Sequence, residues 1–336
     1  MIWLDNSRII AVFAVILLHV SSGIVLGKEV GSYEWWIGNI YDSAVRWCVP
    51  VFVMISGALL LSEEKNENLK TFYLKRTSKI LTPAFFWSML FITLAILEGL
   101  VTGSKLTYSD ILERILSGKP HYHMWYIYMI VFLYIITPAL RKIALNSTQR
   151  ELLLFSAIGF IISTLNYAHE IFYNTKDRIF ITWFLDYIPY FLMGLYIKRD
   201  MNPPKIITIF LTLTISIILT AIGCFYLSKK HGLDIGLYFY GYVSITVIPM
   251  SISIMYLFKS LNRSLLNTKR TRELSNLTFG IYLFHPLILG ALQYKKFGAI
   301  NFEPSISIPT ITVFVFILSI LVTFTMSKTP ILKRLI

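Results

Sequence analysis

Long apolar runs, repeated from one end of the chain to the other, decide most of what this sequence can become. A helix that crosses a bilayer needs about 20 mostly apolar residues, each adding about 1.5 Å. Ten stretches meet that standard, near residues 8–26, 44–61, 80–101, 123–140, 152–168, 183–197, 206–227, 238–258, 276–294 and 307–326. Of 336 residues, 56% are hydrophobic and only 15% charged, where a water-soluble domain carries about a quarter. Disordered chains, coiled coils and water-soluble folds are thereby excluded. The expectation is an all-α integral membrane protein, one domain over 1–336, folded as a bundle of about ten transmembrane helices. The run Ile9–Val20 reads as a retained first span, because Met1–Asn6 contains Asp5 and no basic residue and Val20-Ser-Ser-Gly is a poor cleavage site.

Basic residues set the direction. The formal net charge is +13, but the charges sit in short loops between apolar runs, so the partner is membrane lipid and not nucleic acid. Twenty of the 31 Lys and Arg, counting Arg8, fall on one set of loops. That set includes Lys65, Lys70, Lys75, Arg76 and Lys79 beside a Glu63-Glu64 loop. The positive-inside rule makes that side, and both termini, cytoplasmic. Cys48 and Cys224 lie in apolar stretches and offer no disulfide or zinc framework. No internal repeat argues for a transporter built from duplicated halves.

Ionisable groups inside a span are costly and point to function unless they reach an interface. Arg8 and His19 are 11 residues apart, about 1100° or three turns plus roughly 20°, so they share one face of the first helix with an axial offset of about 16 Å. Ser22 and Gly23 extend that face as a narrow polar stripe. Arg8 is either an interfacial anchor or part of this site, and His19 either a structural histidine or a base. Arg46 opens the second span at its outer end, followed by Pro50 and Ser56-Gly57, which interrupt the apolar run and allow close helix approach. Lys75, Arg76 and Lys79 open the third span, as a phosphate grip or as a plain topology signal. His121 and His123 precede Trp125 and Tyr126; with no third ligand at suitable spacing, no metal is expected. Trp125, Tyr126, Tyr128 and Trp183 form either an interface belt or a sugar-stacking surface. In the ninth span Tyr282 and His285 lie at i, i+3 beside Gly280 and Pro286, and His285 is expected to share a cavity with His19.

No Walker loop, His-Glu-x-x-His, Gly-x-Ser-x-Gly or paired Asp/Glu occurs within a span, which removes support for ATP-driven transport, zinc proteolysis and serine hydrolysis. What remains is a histidine suited to deprotonating a hydroxyl, with arginine to steady a developing oxyanion or a phosphate. That pattern is group transfer onto an alcohol.

The Arg8-x10-His19 pair resembles the hallmark of the membrane acyltransferase-3 family. The likeness continues through Trp3-Leu4-Asp5-Asn6-Ser7-Arg8, Arg46…Val49-Pro50…Met54-Ile55-Ser56-Gly57, Tyr122-His123-Met-Trp125 and Leu274-Ser275…Gly280-Ile-Tyr282…Phe284-His285. The nearest pattern is the branch containing the O-acetyltransferase of enterobacterial common antigen. The resemblance implies an O-acetyltransferase of the bacterial inner membrane, with no tightly bound cofactor. Acetyl-CoA would be the donor and a sugar hydroxyl of a surface glycan or lipid-linked oligosaccharide the acceptor. It makes His19 the base or acyl relay and Arg8 its positioner. Lys75, Arg76 and Lys79 would contact the donor, departing from the Arg-rich element of relatives. Arg46, His123, Trp125, Tyr282 and His285 are assigned to the substrate. A glycan exporter without acyl-transfer chemistry, or an assembly partner, are the alternatives.

Overall fold

A computed structural model of the protein describes residues 1–336 except 63–67, 104–105, 174–179 and 262. The Glu63-Glu64 loop and Lys65 lie outside the described residues. The elements run α1 (Ile2–Gly27), α2 (Tyr33–Val45), α3 (Cys48–Leu60), α4 (Leu69–Arg76), a π turn (Thr77–Leu81), α5 (Thr82–Thr102), α6 (Tyr108–Leu116) and α7 (Trp125–Asn146). They continue with α8 (Gln149–Tyr173), a 3-10 stretch (Phe180–Tyr187), α9 (Ile188–Arg199), α10 (Ile206–His231), the single turn α11 (Leu233–Gly236) and a second 3-10 stretch (Leu237–Tyr240). Last come α12 (Val247–Ser260), α13 (Thr268–Tyr294) and α14 (Pro304–Lys328). Among the described residues there is no strand, and nine helical stretches are long and apolar enough to cross a bilayer; Val247–Ser260 is apolar but shorter.

Local chemistry sets several of these boundaries. Ser32, Asn68 and Asn267 are N-caps whose side chains accept from the amides of Trp35, Thr71 and Arg270. Pro83, Pro189 and Pro304 sit in first turns, where a missing N–H costs nothing. Large apolar side chains of α5, α8, α10 and α14, such as Phe85, Ile161, Phe210 and Phe314, face outward, as a lipid-facing surface requires.

The second and eighth passes differ from the sequence reading. The second begins at Tyr33, not 44, and is broken between α2 and α3. Its first half carries Glu34, Asn39 and Asp42, which lower its hydropathy and make it look like a loop. Arg46 therefore does not open the span at its outer end but sits at a break inside it. Pro50 falls in the first turn of α3 and does not interrupt the helix. The break is closed locally: the Trp47 indole N–H donates to the Ala44 carbonyl at 2.8 Å. The eighth pass is no single helix over 238–258; residues 241–246 are irregular between the 3-10 stretch and α12.

Bare backbone at membrane depth survives only where protein or a water-filled cavity satisfies it. Here Tyr190 donates to the Tyr242 carbonyl (2.7 Å) and Thr164 to the Val243 carbonyl (2.9 Å). The small residues expected to permit close approach do so between α3 and α9. A methyl at Gly57 would collide with the Phe191 carbonyl, and one at Gly194 with the Met54 carbonyl. With no hydrophobic force between helices in lipid, such backbone proximity is a main source of cohesion.

Gly57→Ala and Gly194→Ala should each lower the thermal stability of detergent-purified protein, by about 1–3 kcal/mol. Gly290→Ala, with open space around it, should leave it unchanged. Denaturation followed by exposure of the two buried cysteines, Cys48 and Cys224, to a thiol reagent measures all three.

Candidate active site

Two cavities follow one another along α1. The first, about 360 Å³, is lined by Arg8 of α1, Ser56 of α3, Arg76, Lys79 and Ile80 around the π turn, Tyr126 and Tyr134 of α7, and Ser275 and Tyr282 of α13. The second, about 620 Å³, is lined by His19 and Ser22 of α1, Asp42 and Arg46 at the α2–α3 break, and Tyr122 and Trp125. Trp183 and Tyr187 of the first 3-10 stretch, the irregular strip Gly241–Val243 and the charged residues Lys119, Glu170 and Asp186 also line it. Because α1 is one unbroken helix, the 11-residue spacing delivers Arg8 to one cavity and His19 to the other.

Between the cavities stands a wall of rings. His19 and His285 are stacked, with centroids 5.3 Å apart, and His19 meets Tyr122 edge-on at 4.9 Å. His285 also touches His123 at 5.7 Å, and His123 touches Tyr282 at 5.4 Å. Tyr282 packs on Tyr126 at 5.6 Å and its hydroxyl donates to the His123 carbonyl. Tyr282 thus faces the Arg8 cavity while its neighbours lead to His19. His285 is fully buried and lines neither cavity.

A proline fixes the chemistry of His285. Pro286 has no N–H, so within α13 the Tyr282 carbonyl loses its helical donor. The His285 Nδ1–H takes that place, 2.7 Å from the Tyr282 oxygen. A carbonyl only accepts, so the proton must be on Nδ1. Nε2 is left as a buried lone pair with no partner among the described residues. His123 shows the same pattern: its Nδ1 lies 2.9 Å from His121 Nδ1 and its Nε2 has no partner among the described residues. Burial, aided by the charge of Arg114, pushes His121 in the loop before α7 down to about 4. That imidazole is neutral at pH 7, and one ring of the pair donates while the other accepts. Among the described residues no three His, Cys, Asp or Glu side chains are grouped to hold a metal ion.

Asp42 is the feature that sequence reading missed. It is fully buried, forms an ion pair with Arg46 one turn later, and accepts from the Ser22 hydroxyl at 2.7 Å. Arg46 also lies over the Tyr240 ring, 3.9 Å from its centroid, and donates to the Tyr240 carbonyl at 3.4 Å. The Tyr240 hydroxyl donates to Asn39 Oδ1 (2.6 Å), whose amide donates to the Ala221 carbonyl (3.0 Å). The i, i+4 Asp-Arg spacing was a legible signal; only the misplaced start of the pass hid it.

The remaining expected residues divide. Trp125 and Trp183 line the His19 cavity, and Trp125 stacks on Tyr242 (centroids 5.6 Å apart, planes at 21°). Tyr126 faces the other cavity, and Tyr128 faces neither, sharing a hydrogen bond with Ser88 at 3.1 Å. Arg76 is held over the rings of Phe72 (4.9 Å) and Tyr134 (5.9 Å). Lys75 is exposed and lines neither cavity. Arg8 is tied by Asp5, 3.8 Å away, which itself accepts from Ser275 of α13 at 2.9 Å.

The arrangement can hold an anionic, elongated molecule on the Arg8 side and a polar, ring-shaped one on the aromatic side, with an imidazole between them. No curated protein and no solved structure matches the sequence. The acyltransferase-3 family model, described as an acyltransferase domain, matches residues 1–328, without selecting a branch of the family. The chain therefore belongs to the acyltransferase-3 family of multi-pass membrane proteins.

Proposed function

We propose that the protein is an O-acetyltransferase of the bacterial inner membrane, moving an acetyl group from acetyl-CoA to a sugar hydroxyl of a cell-surface polysaccharide or its lipid-linked precursor. The observation that carries the reading is the pair of cavities meeting at the His19–His285–Tyr282 wall. Acyl transfer between a cytoplasmic thioester and an outward-facing hydroxyl needs two chambers and one shared reacting point.

On this reading the Arg8 cavity opens to the cytoplasm and takes the donor. Arg8, Arg76 and Lys79 supply the cations that phosphates call for, while the exposed Lys75 stays with the positive-inside signal. The acceptor sugar lies in the His19 cavity, its apolar face against Trp125 and its hydroxyls toward the polar wall. His19 takes the hydroxyl proton as oxygen attacks the thioester carbonyl and returns it to the departing thiolate, so the reaction is proton-neutral overall. His285, stacked on His19 and locked in one tautomer by Tyr282, holds the base in place.

Inside-out vesicles given radiolabelled acetyl-CoA test this, with a lipid-linked oligosaccharide of the enterobacterial-common-antigen type as the first acceptor. Label should enter the glycolipid fraction, and His19→Ala should lower the rate by about 10²–10⁴-fold. Flux of unmodified glycan that persists in His19→Ala would instead establish an exporter. Arg76→Ala should raise the KM for acetyl-CoA about tenfold, the loss of about 1.4 kcal/mol of binding. An unchanged KM would reduce the cluster to a topology signal. Trp125→Ala should raise the acceptor KM by a similar factor and leave the donor KM alone.

A further inference from the structure

Apart from the histidines, the wall of the His19 cavity contains an ion pair that the transfer reaction has not yet used. Two ionised side chains inside a membrane pass lower stability unless something else retains them; a well-packed apolar pair of similar volume is often the more stable solution. Asp42 lies in the last turn of α2 and Arg46 at the break that follows it, one turn of helix apart. Ser22, which holds Asp42 Oδ2 at 2.7 Å, lies one turn along α1 from His19, and all four residues line the same cavity. Asp42 is therefore coupled to the α1 face that presents the base.

The guanidinium is fixed on several sides. Asp42 takes one edge, the Tyr240 carbonyl another, and the Tyr240 ring covers one face. An arginine has five N–H donors in a rigid fork. With one contact each, the two terminal nitrogens still have an N–H left over, while Nε is buried with no partner among the described residues. A cation held this firmly, with unspent donors and a place on the cavity wall beside a base, is preorganised for a charge that appears only during reaction.

We propose that Arg46 is a catalytic residue that receives the oxyanion of acyl transfer, and that Asp42 is a positioning residue acting through it; the inference rests on the acetyltransferase reading above. The acceptor oxygen bonds to the thioester carbonyl carbon while His19 takes the hydroxyl proton. The carbonyl π electrons move onto oxygen, and Arg46 holds that negative charge. As the carbonyl re-forms, the carbon–sulfur bond breaks, the thiolate leaves with its electron pair, and His19 returns the proton to sulfur. The products are an acetyl ester and a free thiol. Asp42 remains ionised throughout, keeping the fork aimed and Arg46 from swinging toward substrate phosphates.

The test uses the full chain in vesicles, with labelled acetyl-CoA as donor and the glycolipid of the native membrane as acceptor. Wild type is required to transfer label first. If it does not, the acetyltransferase reading itself has failed. Where wild type transfers, Arg46→Lys, which keeps charge but loses the fork, should lower kcat about 10²–10³-fold with the acetyl-CoA KM within about threefold. Asp42→Asn should lower kcat about 10–100-fold, again with little change in KM. The double variant should be no slower than Arg46→Lys alone, because Asp42 acts through Arg46. If Asp42→Asn does not survive extraction, Ser22→Ala, which removes only the hydroxyl bound to Oδ2, should still lower kcat several-fold. Normal kcat in the folded variants, losses confined to KM, or losses that multiply in the double variant would each overturn the proposal while leaving the acetyltransferase reading standing.

Discussion

Hydrocarbon offers no partner to a peptide group, and the whole architecture follows from where this protein tolerates that. Its helices run unbroken along the lipid-facing perimeter, in α8, α10 and α14. Interruptions are kept to places where other groups supply the missing bonds. At the α2–α3 break a tryptophan indole donates to the carbonyl of Ala44, the penultimate residue of α2. Along 241–246, Tyr190 and Thr164 do the same work from α9 and α8. Both interruptions border the larger cavity, so the backbone most at odds with a membrane is also the backbone that lines the candidate site.

The two cavities are joined through side chains of three distant segments. α1 contributes His19, the loop before α7 contributes His123, and α13 contributes Tyr282 and His285. His123 is held by His121, Tyr282 by the His123 carbonyl and His285 by the Tyr282 carbonyl, and His19 packs against the rings of His285 and Tyr122. On the proposed mechanism, this presets the surroundings of the base before the reactants arrive. The close seating of α3 on α9 through Gly57 and Gly194 keeps the α2–α3 break, and hence Arg46, in fixed relation to the same wall.

Much of this was legible in the sequence, and the exceptions have physical causes. Arg8 and His19 could be placed because their spacing lies within one regular helix, where angle and rise are known. Apolar length predicts ten passes, where nine stretches among the described residues are long enough to cross and Val247–Ser260 is shorter; it failed at Tyr33–Val45, since Asn39 and Asp42 are polar residues satisfied inside the bundle rather than in a loop. Lys75 and Arg76 are neighbours in α4 and point about 100° apart, but that Lys79 sides with Arg76 and not with Lys75, four residues before it, could not be read from periodicity, because the π turn at Thr77–Leu81 changes the winding there. The sharing of roles between Trp125, which faces one cavity, and Tyr126, which faces the other, depends on where the wall lies. That wall is built by contacts between residues more than a hundred positions apart, such as Tyr282 with His123, and no local pattern carries them.

The proline after His285 has a further consequence. Its lack of an amide proton is what leaves the Tyr282 carbonyl for the imidazole, so the tautomer of residue 285 is written at residue 286. The two positions are one heritable unit: a chain that regained the amide at 286 would return the carbonyl to the helix and release the ring, although its histidine were untouched. In comparing such chains, a histidine at this place without its proline is a different chemical group.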